Sequence, residues 1–207
     1  GPVLCLTVAA RFSASFDSAT TAAREARERD GIEVSVLDTQ TAAGGEGLVV
    51  LEAWRAARSG ATVQQVMEAA RRVVSSVRLL AFPDTLYYLW RGGRVRRIAY
   101  HGTSLLRIKP LFELDRGEVR PVARPRTQRR ALLRLVELMR QRVGDRPVHA
   151  AIMHADAADA GRDLEQRIRA AFACEEVYTT EFSAAMGAHI GPGLLGVAFW
   201  SEESQGG

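Results

Sequence analysis

The sequence predicts an α/β protein of two domains: an incomplete parallel-sheet α/β/α domain over residues 1–77, then an α/β domain with a mixed sheet over residues 78–207. Two observations lead to this fold class. Up to residue 77, apolar strand patterns alternate with helical patterns, an order that produces parallel strands. From residue 78 onward, two strand patterns also follow each other across a short turn, which adds antiparallel pairing.

The first domain is predicted to contain two strands and three helices. A short apolar run at residues 3–8 is typical of a strand covered on both faces, and residues 33–37 are predicted to form the next strand. Helical patterns occupy residues 18–29 and 44–58, and Thr62 is expected to cap a third helix. Two parallel strands make a sheet too narrow to be covered on both faces. We therefore expect further strands from an N-terminal portion that is missing here, or from a second chain.

The second domain is predicted to combine a hairpin, further strands and helices. The hairpin turn is expected at residues 115–118, and Pro110 is expected to end the helix before it. Predicted strands are 79–82, 111–114, 119–122, 148–153, 177–180 and 194–200, and predicted helices are 86–90, 98–108, 127–143 and 158–173.

Composition excludes several classes of protein. A chain of 207 residues with 47% hydrophobic residues is typical of a globular protein with a sizeable core. The net charge of +4 comes almost wholly from arginine and does not by itself indicate a nucleic-acid partner. No apolar run reaches the roughly 18 residues of a membrane span, and no signal-peptide pattern is present. We therefore expect a cytoplasmic protein with no membrane span and no nucleic-acid partner.

The sequence contains no recognisable catalytic or metal-binding motif. It lacks HExxH, CxxC and the phosphate-binding loop lysine motif, and no two of its four histidines are spaced as i and i+4. Cys5 and Cys174 are interpreted as small apolar residues of the core. We predict no catalytic residue, no metal and no cofactor.

A glycine-rich stretch at residues 187–193 is the strongest candidate for a binding loop. It contains His189, three glycines and Pro192, and it leads directly into an apolar run. Glycine allows a ligand to approach the backbone closely, and proline fixes a turn. This pattern favours a polar group held against an apolar wall. The alternative is that His189 only fills a turn beside the core.

Three other places carry candidate ligand-binding groups. Ser13 and Ser15 follow the first strand, where doubly wound folds bind ligands, although Ser15 is also suited to cap a helix. Gly92, Gly93 and Arg94 offer amides and a guanidinium to an anion, or else form a helix-breaking turn with a solvated arginine. The arginines of residues 124–134 are interpreted mainly as a solvated face.

Taken in order, six segments resemble the DegV family of bacterial fatty-acid-binding proteins, from about residue 3 to about residue 199. The segments are Phe12-Ser13-Ala14-Ser15-Phe16-Asp17-Ser18-Ala19; Asp38-Thr39 with Gly44 to Gly47; Thr85-Leu86-Tyr87-Tyr88-Leu89 with Arg91-Gly92-Gly93-Arg94; Lys109-Pro110; Arg126-Thr127; and His189-Ile190-Gly191-Pro192-Gly193.

The resemblance implies a carrier without catalytic activity. It implies one long-chain fatty acid with its tail in an apolar tunnel and its carboxylate at the domain junction, presented to a separate fatty acid kinase. It also implies that His189 is the neighbour of the carboxylate and that Arg94 lies near the head group, and Gly191 is a further candidate ligand-binding residue. Ser13 and Ser15 are the candidate hydroxyls of the same site.

Two departures from the family pattern affect the head group. The family usually has paired serines where this chain has Ala9-Ala10, and an N-terminal portion with a further hydroxyl is missing. Because each hydrogen bond to a charged group contributes about 1.5 to 3 kcal/mol, their loss would weaken carboxylate binding. Either the ligand differs from a simple fatty acid, or Ser13, Ser15 and His189 bind the head group. The alternatives are a partner- or nucleic-acid-binding module without lipid and a small-molecule kinase-like enzyme.

Overall fold

The structure is a computed structural model that describes residues 1–91 and 108–202. The predicted helix at 98–108 lies almost wholly outside the described residues. The elements in chain order are β1 (Val3–Thr7), α1 (Ser15–Asp30), β2 (Val34–Asp38), α2 (Gly44–Arg58), α3 (Val63–Ser76), β3 (Arg78–Phe82), α4 (Tyr87–Arg91), β4 (Leu111–Asp115), β5 (Glu118–Ala123), α5 (Gln128–Val143), β6 (Val148–His154), α6 (Ala158–Ala171), β7 (Cys174–Glu181), α7 (Ala184–Ile190) and β8 (Leu195–Trp200).

The described chain divides into two compact units. The N-terminal unit holds Gly1–Val77 together with the hairpin turn Asp115–Glu118, and the C-terminal unit holds the other described residues. The sheets agree with the predicted fold class, since one is parallel and the other is mixed.

The N-terminal unit is built on the parallel pair β1 and β2. Their register runs from Val3 opposite Val34 to Thr7 opposite Asp38, so both strands end at the same edge. The helix α1 stops because Gly31 adopts a left-handed conformation, with φ of 67°, that closes the last turn. The helix α3 begins with the predicted Thr62 cap, which forms a reciprocal capping box with Gln65.

The core of the N-terminal unit lies where α2 and α3 pack together. The apolar residues of both helices follow helical spacing and are buried. They are Leu48, Val49 and Ala53 of α2 with Val66, Ala69, Ala70 and Val73 of α3. In contrast, α1 has no fully buried residue.

The C-terminal unit contains a six-stranded sheet among its described residues, in the order β5-β4-β3-β8-β6-β7. The strand β8 is antiparallel to both β3 and β6, and β7 is parallel to β6. Side chains of α5 and α6 pack on the sheet and form the main core. At its outermost strand, β5, the sheet carries exposed Arg120 and Pro121.

The hairpin of β4 and β5 is closed by Arg116 and Gly117. Both residues have positive φ angles, 48° and 73°, as a two-residue type I′ turn requires. Behind the turn, Glu113 of β4 is almost fully buried and accepts two hydrogen bonds from the Arg142 guanidinium, at 2.8 and 2.9 Å. These hydrogen bonds hold the pKa of Glu113 below its ordinary value.

Candidate functional site

Most of the predicted binding segments of the C-terminal unit lie at one edge of the six-stranded sheet. Phe82 pairs with Leu195, Leu195 with His154, and His154 with Glu181, so β3, β6 and β7 end where β8 begins. We call the segments at this end the loop edge. They are residues 83–86, 108–110, 155–157, 182–183 and 191–194. Ligands of open α/β sheets commonly bind beyond the carboxyl ends of the strands.

The secondary structure around His189 differs from the prediction. Residues 187–190 belong to α7 and not to a loop, and His189 lies half-buried in the last turn of that helix. The reason is local, because Ser183 caps the helix by accepting the Met186 amide at 3.4 Å and alanines follow it. Only residues 191–194 form the loop.

Gly191 packs directly against Tyr88 of α4. Its φ of 75° and ψ of 168° belong to a region that only glycine adopts readily. A methyl group placed on Gly191 would overlap the Tyr88 ring, lying only 2.6 Å from its Cγ and Cε2 atoms. A methyl group on Gly193, whose φ is 78°, would lie 2.6 Å from Asp84 Cβ. The loop therefore depends on both glycines to approach the 84–88 segment.

Asp84 connects this loop to the single lysine of the chain. The Lys109 ammonium donates to the Asp84 carboxylate and, at 3.0 Å, to the Asp84 carbonyl. The Lys109 amide donates to the Pro125 carbonyl at 2.7 Å. Lys109 thus fixes the turn against which Gly193 packs.

Beneath the loop lies a small apolar cluster. Ala155, Ile190 and Leu194 are buried in it. The Gly193 amide donates to the Ala155 carbonyl at 2.7 Å, and the Ala155 amide donates to the Leu194 carbonyl at 3.0 Å. The loop edge therefore combines a few polar groups with an apolar wall, as an amphiphilic ligand requires.

Ser13 and Ser15 lie together at the start of α1 in the N-terminal unit. Their hydroxyl oxygens are 2.5 Å apart, and Ser13 Oγ accepts the Ser15 amide at 3.1 Å. Ala14 is the cap residue, so Ser15 is not the helix cap. Ser13 is half-buried and Ser15 is exposed.

The carboxyl ends of β1 and β2 hold three buried threonines, Thr7, Thr39 and Thr41, and the hydroxyls of Thr7 and Thr41 are the unpaired ones. Thr7 is 6% exposed and Thr41 is 2% exposed, and neither hydroxyl oxygen has a hydrogen-bond partner among residues 1–91 and 108–202. The ends are joined by hydrogen bonds from the Ala9 amide to the Thr41 carbonyl, 2.8 Å, and from Thr39 Oγ1 to the Thr7 carbonyl, 2.8 Å. Leaving a buried hydroxyl unpaired costs about 1 to 3 kcal/mol.

The first turn of α2 adjoins these hydroxyls. A methyl group on Gly45 would overlap Thr41 Oγ1, so the hydroxyl lies directly against this turn. Ala43, with φ of 51° and ψ of −125°, occupies a strained conformation that costs on the order of 1 to 3 kcal/mol. Burial raises the pKa of Glu46 in the same turn. Thr41 and Glu46 are not among the residues predicted from the sequence. The signal for Thr41 is its position three residues beyond the end of β2.

Several properties of the described chain bear on ligand classes. A surface cleft of about 470 Å³ between α2 and α3 is lined by small and polar residues such as Ala56, Gly60 and Gln65, and by none of the predicted site residues. Within the described ranges, no cluster of three or more histidine, cysteine or acidic side chains is suited to hold a metal. No helix in those ranges is both long and apolar enough to cross a membrane.

The predicted site residues have different outcomes. The structure places Ser13 beside Ser15 within one unit and His189 two residues from Gly191 within the other. Arg94 lies outside the described residues. The binding roles predicted for these residues stay predictions.

Comparison with known proteins identifies relatives along nearly the whole chain. The sequence model of the DegV family matches residues 1–202, and its description reads "Uncharacterised protein, DegV family". A DegV domain-containing protein of Streptomyces coelicolor is 36% identical over 196 residues, which is 94% of this chain and 68% of that protein.

Solved structures are similar over the same extent. A DegV family protein from Thermus thermophilus, described as fatty-acid-binding, superposes with a TM-score of 0.88 at 30% identity, covering 97% of this chain and 71% of that one. A DegV lipid-binding protein from Thermotoga maritima superposes with a TM-score of 0.86 at 26% identity, covering 97% of this chain and 69% of that one.

Proposed function

Since this chain belongs to the DegV family, we propose that it binds a long-chain fatty acid and carries it without chemical change. The observation that supports this most strongly is its similarity to a fatty-acid-binding family member over 97% of its length. The loop edge adds physical support, because polar groups there border the apolar cluster of Ala155, Ile190 and Leu194.

The energetics of such a ligand fit a protein with few polar anchors. Burial of each methylene contributes about 0.8 kcal/mol, so an acyl chain of about sixteen carbons supplies most of the affinity. The carboxylate then needs only a few charge-assisted hydrogen bonds for orientation. We assign it to His189 and the Gly191 loop, with Ser13, Ser15 and Arg94 as further head-group residues.

The finer parts of the proposal come from the family resemblance. They are the apolar tunnel, the carboxylate at the domain junction, and presentation of the bound acid to a separate fatty acid kinase. The kinase step is tested by mixing the loaded protein with ATP and a fatty acid kinase and measuring acyl phosphate. We expect acyl phosphate only when both proteins are present, and formation by this chain alone would indicate an enzyme.

Ligand binding is tested directly on the purified protein. Mass spectrometry of its organic extract is expected to detect a long-chain fatty acid, because a buried acyl chain usually survives purification. After delipidation, calorimetric titration with palmitate is expected to restore binding. A protein that contains no acyl chain and binds no fatty acid would contradict the proposal.

The head-group assignment needs its own comparison. His189→Ala and Ser13→Ala are titrated with palmitate and with methyl palmitate, which has the same tail but no charge. We expect each variant to bind palmitate about tenfold more weakly, the effect of one lost charged hydrogen bond, with little change for the ester. Unchanged palmitate affinity would remove that residue from the site.

A further inference from the structure

The start of α2 has features that its fold does not require. Gly44 and Gly45 are buried, yet no side chain caps the helix. The Gly45 and Gly47 amides donate to the carbonyls of Ala42 and Ala43, at 3.0 and 2.9 Å. The positive end of the helix dipole therefore lies in a buried environment without an acidic or hydroxyl cap, which favours an anion.

Thr41 supplies an independent observation at the same place. Its side chain is 98% buried by its 2% exposure, and Oγ1 lies against the first turn of α2 without a hydrogen-bond partner in the described part of the chain. Thr7 is in a similar state at the end of the adjacent strand. Buried hydroxyls in folded proteins are nearly always paired, so two unpaired ones at one edge indicate a bound group that provides acceptors.

The backbone conformation agrees with a ligand-binding role. Ala43 adopts a conformation that favours glycine, immediately before the helix. Such strain concentrates where a binding site fixes the backbone. Burial also favours the uncharged form of Glu46, which reduces its repulsion of a nearby anion.

We propose that Thr41, assisted by Thr7 and the first turn of α2, binds an oxyanion in the N-terminal unit. This inference rests on the proposed function in identifying the oxyanion as the fatty acid carboxylate. It also explains how the chain tolerates Ala9-Ala10, since the Ala9 amide is bonded to the Thr41 carbonyl and the Thr41 hydroxyl lies at the same strand end. Thr41 is then a head-group residue that replaces a lost serine.

The test compares Thr41→Val with Thr41→Ser, and uses Thr20→Val as a matched control because the Thr20 hydroxyl bonds only to the Phe16 carbonyl within α1. Delipidated proteins are titrated with palmitate, with uncharged 1-hexadecanol, and with inorganic phosphate. We expect Thr41→Val to weaken palmitate at least tenfold and hexadecanol less than twofold, while Thr41→Ser and Thr20→Val bind as the native protein does.

A melting curve separates binding from folding. Because the native hydroxyl is buried and unpaired, Thr41→Val is expected to melt at a higher temperature than the native protein when ligand-free. Should the valine methyl group overpack against Gly45 and lower the melting temperature, Thr41→Ala replaces it in the titrations. Equal weakening of palmitate and hexadecanol by Thr41→Ala would reveal a merely structural role and overturn the inference.

The phosphate titration distinguishes failure of this site from failure of the proposed function. Native protein that binds palmitate, with Thr41 variants that bind it equally well, would refute the site and leave fatty-acid binding intact. Native protein that binds phosphate but not palmitate, with phosphate binding lost in Thr41→Val, would refute fatty-acid binding and keep an oxyanion site. Phosphate binding that is independent of Thr41 would count against the site.

Discussion

Substitution of Gly191 by alanine offers a sharp test of the loop edge. The backbone conformation at Gly191 would cost alanine about 1 to 3 kcal/mol. The new methyl group would also overlap the Tyr88 ring, and overpacking of this kind costs about 1 to 3 kcal/mol. We therefore expect the free energy of unfolding to fall by about 3 kcal/mol, and by more where the ring cannot move.

The matched control lies four residues earlier. Gly187 is helical, has no positive φ angle, and a methyl group there would meet no atom within 4 Å. Gly187→Ala is expected to leave stability unchanged or to raise it by up to about 1 kcal/mol, because alanine favours the helix. The pair therefore compares the same chemical change at two positions of one segment.

The free energy of unfolding of both variants is measured by urea unfolding followed by circular dichroism. Tyr88→Ala is then combined with Gly191→Ala to separate the cost of backbone strain from the cost of overlap with the ring. Removing the ring relieves the overlap but leaves the backbone strain, so the double variant should lose less stability than the two single effects added together. For a chain of about 200 residues, 3 kcal/mol corresponds to a fall of about 6 to 12 °C in Tm. If Gly191→Ala were as stable as Gly187→Ala, the described packing of this loop would be wrong.

Three further predictions concern stability. Because its pKa is lowered in the folded state, Glu113 should stabilise the fold above its ordinary pKa of 4.5, and this contribution should be lost as pH falls through the lower folded value. Arg142→Met removes the largest cause of the lowered pKa, so it should weaken that pH dependence and cost roughly 2 kcal/mol. The pKa of Glu46 is raised by burial, so its effect on stability runs in the opposite direction: the carboxyl should favour folding below pH 4.5 and oppose it at neutral pH. At pH 7, Glu46→Gln should therefore be more stable than the native protein. Thr62→Ala removes the cap of α3 and should cost about 1 kcal/mol, whereas Thr62→Ser should not.

Urea unfolding at pH 3 to 8 measures all three. Arg134→Met, which removes an ion pair with the exposed Glu137, serves as the surface control and should cost less than 1 kcal/mol. An Arg142→Met protein with the native pH profile would contradict the role of the Glu113 pair, and a Glu46→Gln protein less stable than native at pH 7 would contradict desolvation of that carboxyl. Equal stability of the two Thr62 variants would show that the hydroxyl does not cap the helix.

Local patterns predicted most of the elements because their causes lie close in sequence. The apolar run at residues 3–8 became β1, and Thr62 with Gln65 became a capping box. The prediction for the region of His189 was wrong because glycine-rich composition suggests a loop, whereas the Ser183 cap and the alanines that follow it favour a helix. In this segment the glycine content favours a loop and the Ser183 cap favours a helix, and the chain forms the helix.

The candidate site was harder to predict than the fold because its contacts join distant segments. Tyr88 and Gly191 are about a hundred residues apart, and their contact follows from β3 and β8 being neighbours in the sheet. The state of the Thr41 hydroxyl depends on which atoms surround it after folding. No periodicity in the sequence carries that information.

Among the described residues, β5 and β7 are the outermost strands of the larger sheet, and they also limit how copies of the chain can associate. Pro121 in β5 has no amide hydrogen to offer an approaching strand, and Arg120 beside it adds charge. At the opposite border, the Val177 carbonyl of β7 already accepts the Arg169 guanidinium at 3.0 Å. The β5 border thus discourages fibre growth by strand addition, and loss of the Arg169 side chain would free one carbonyl of β7.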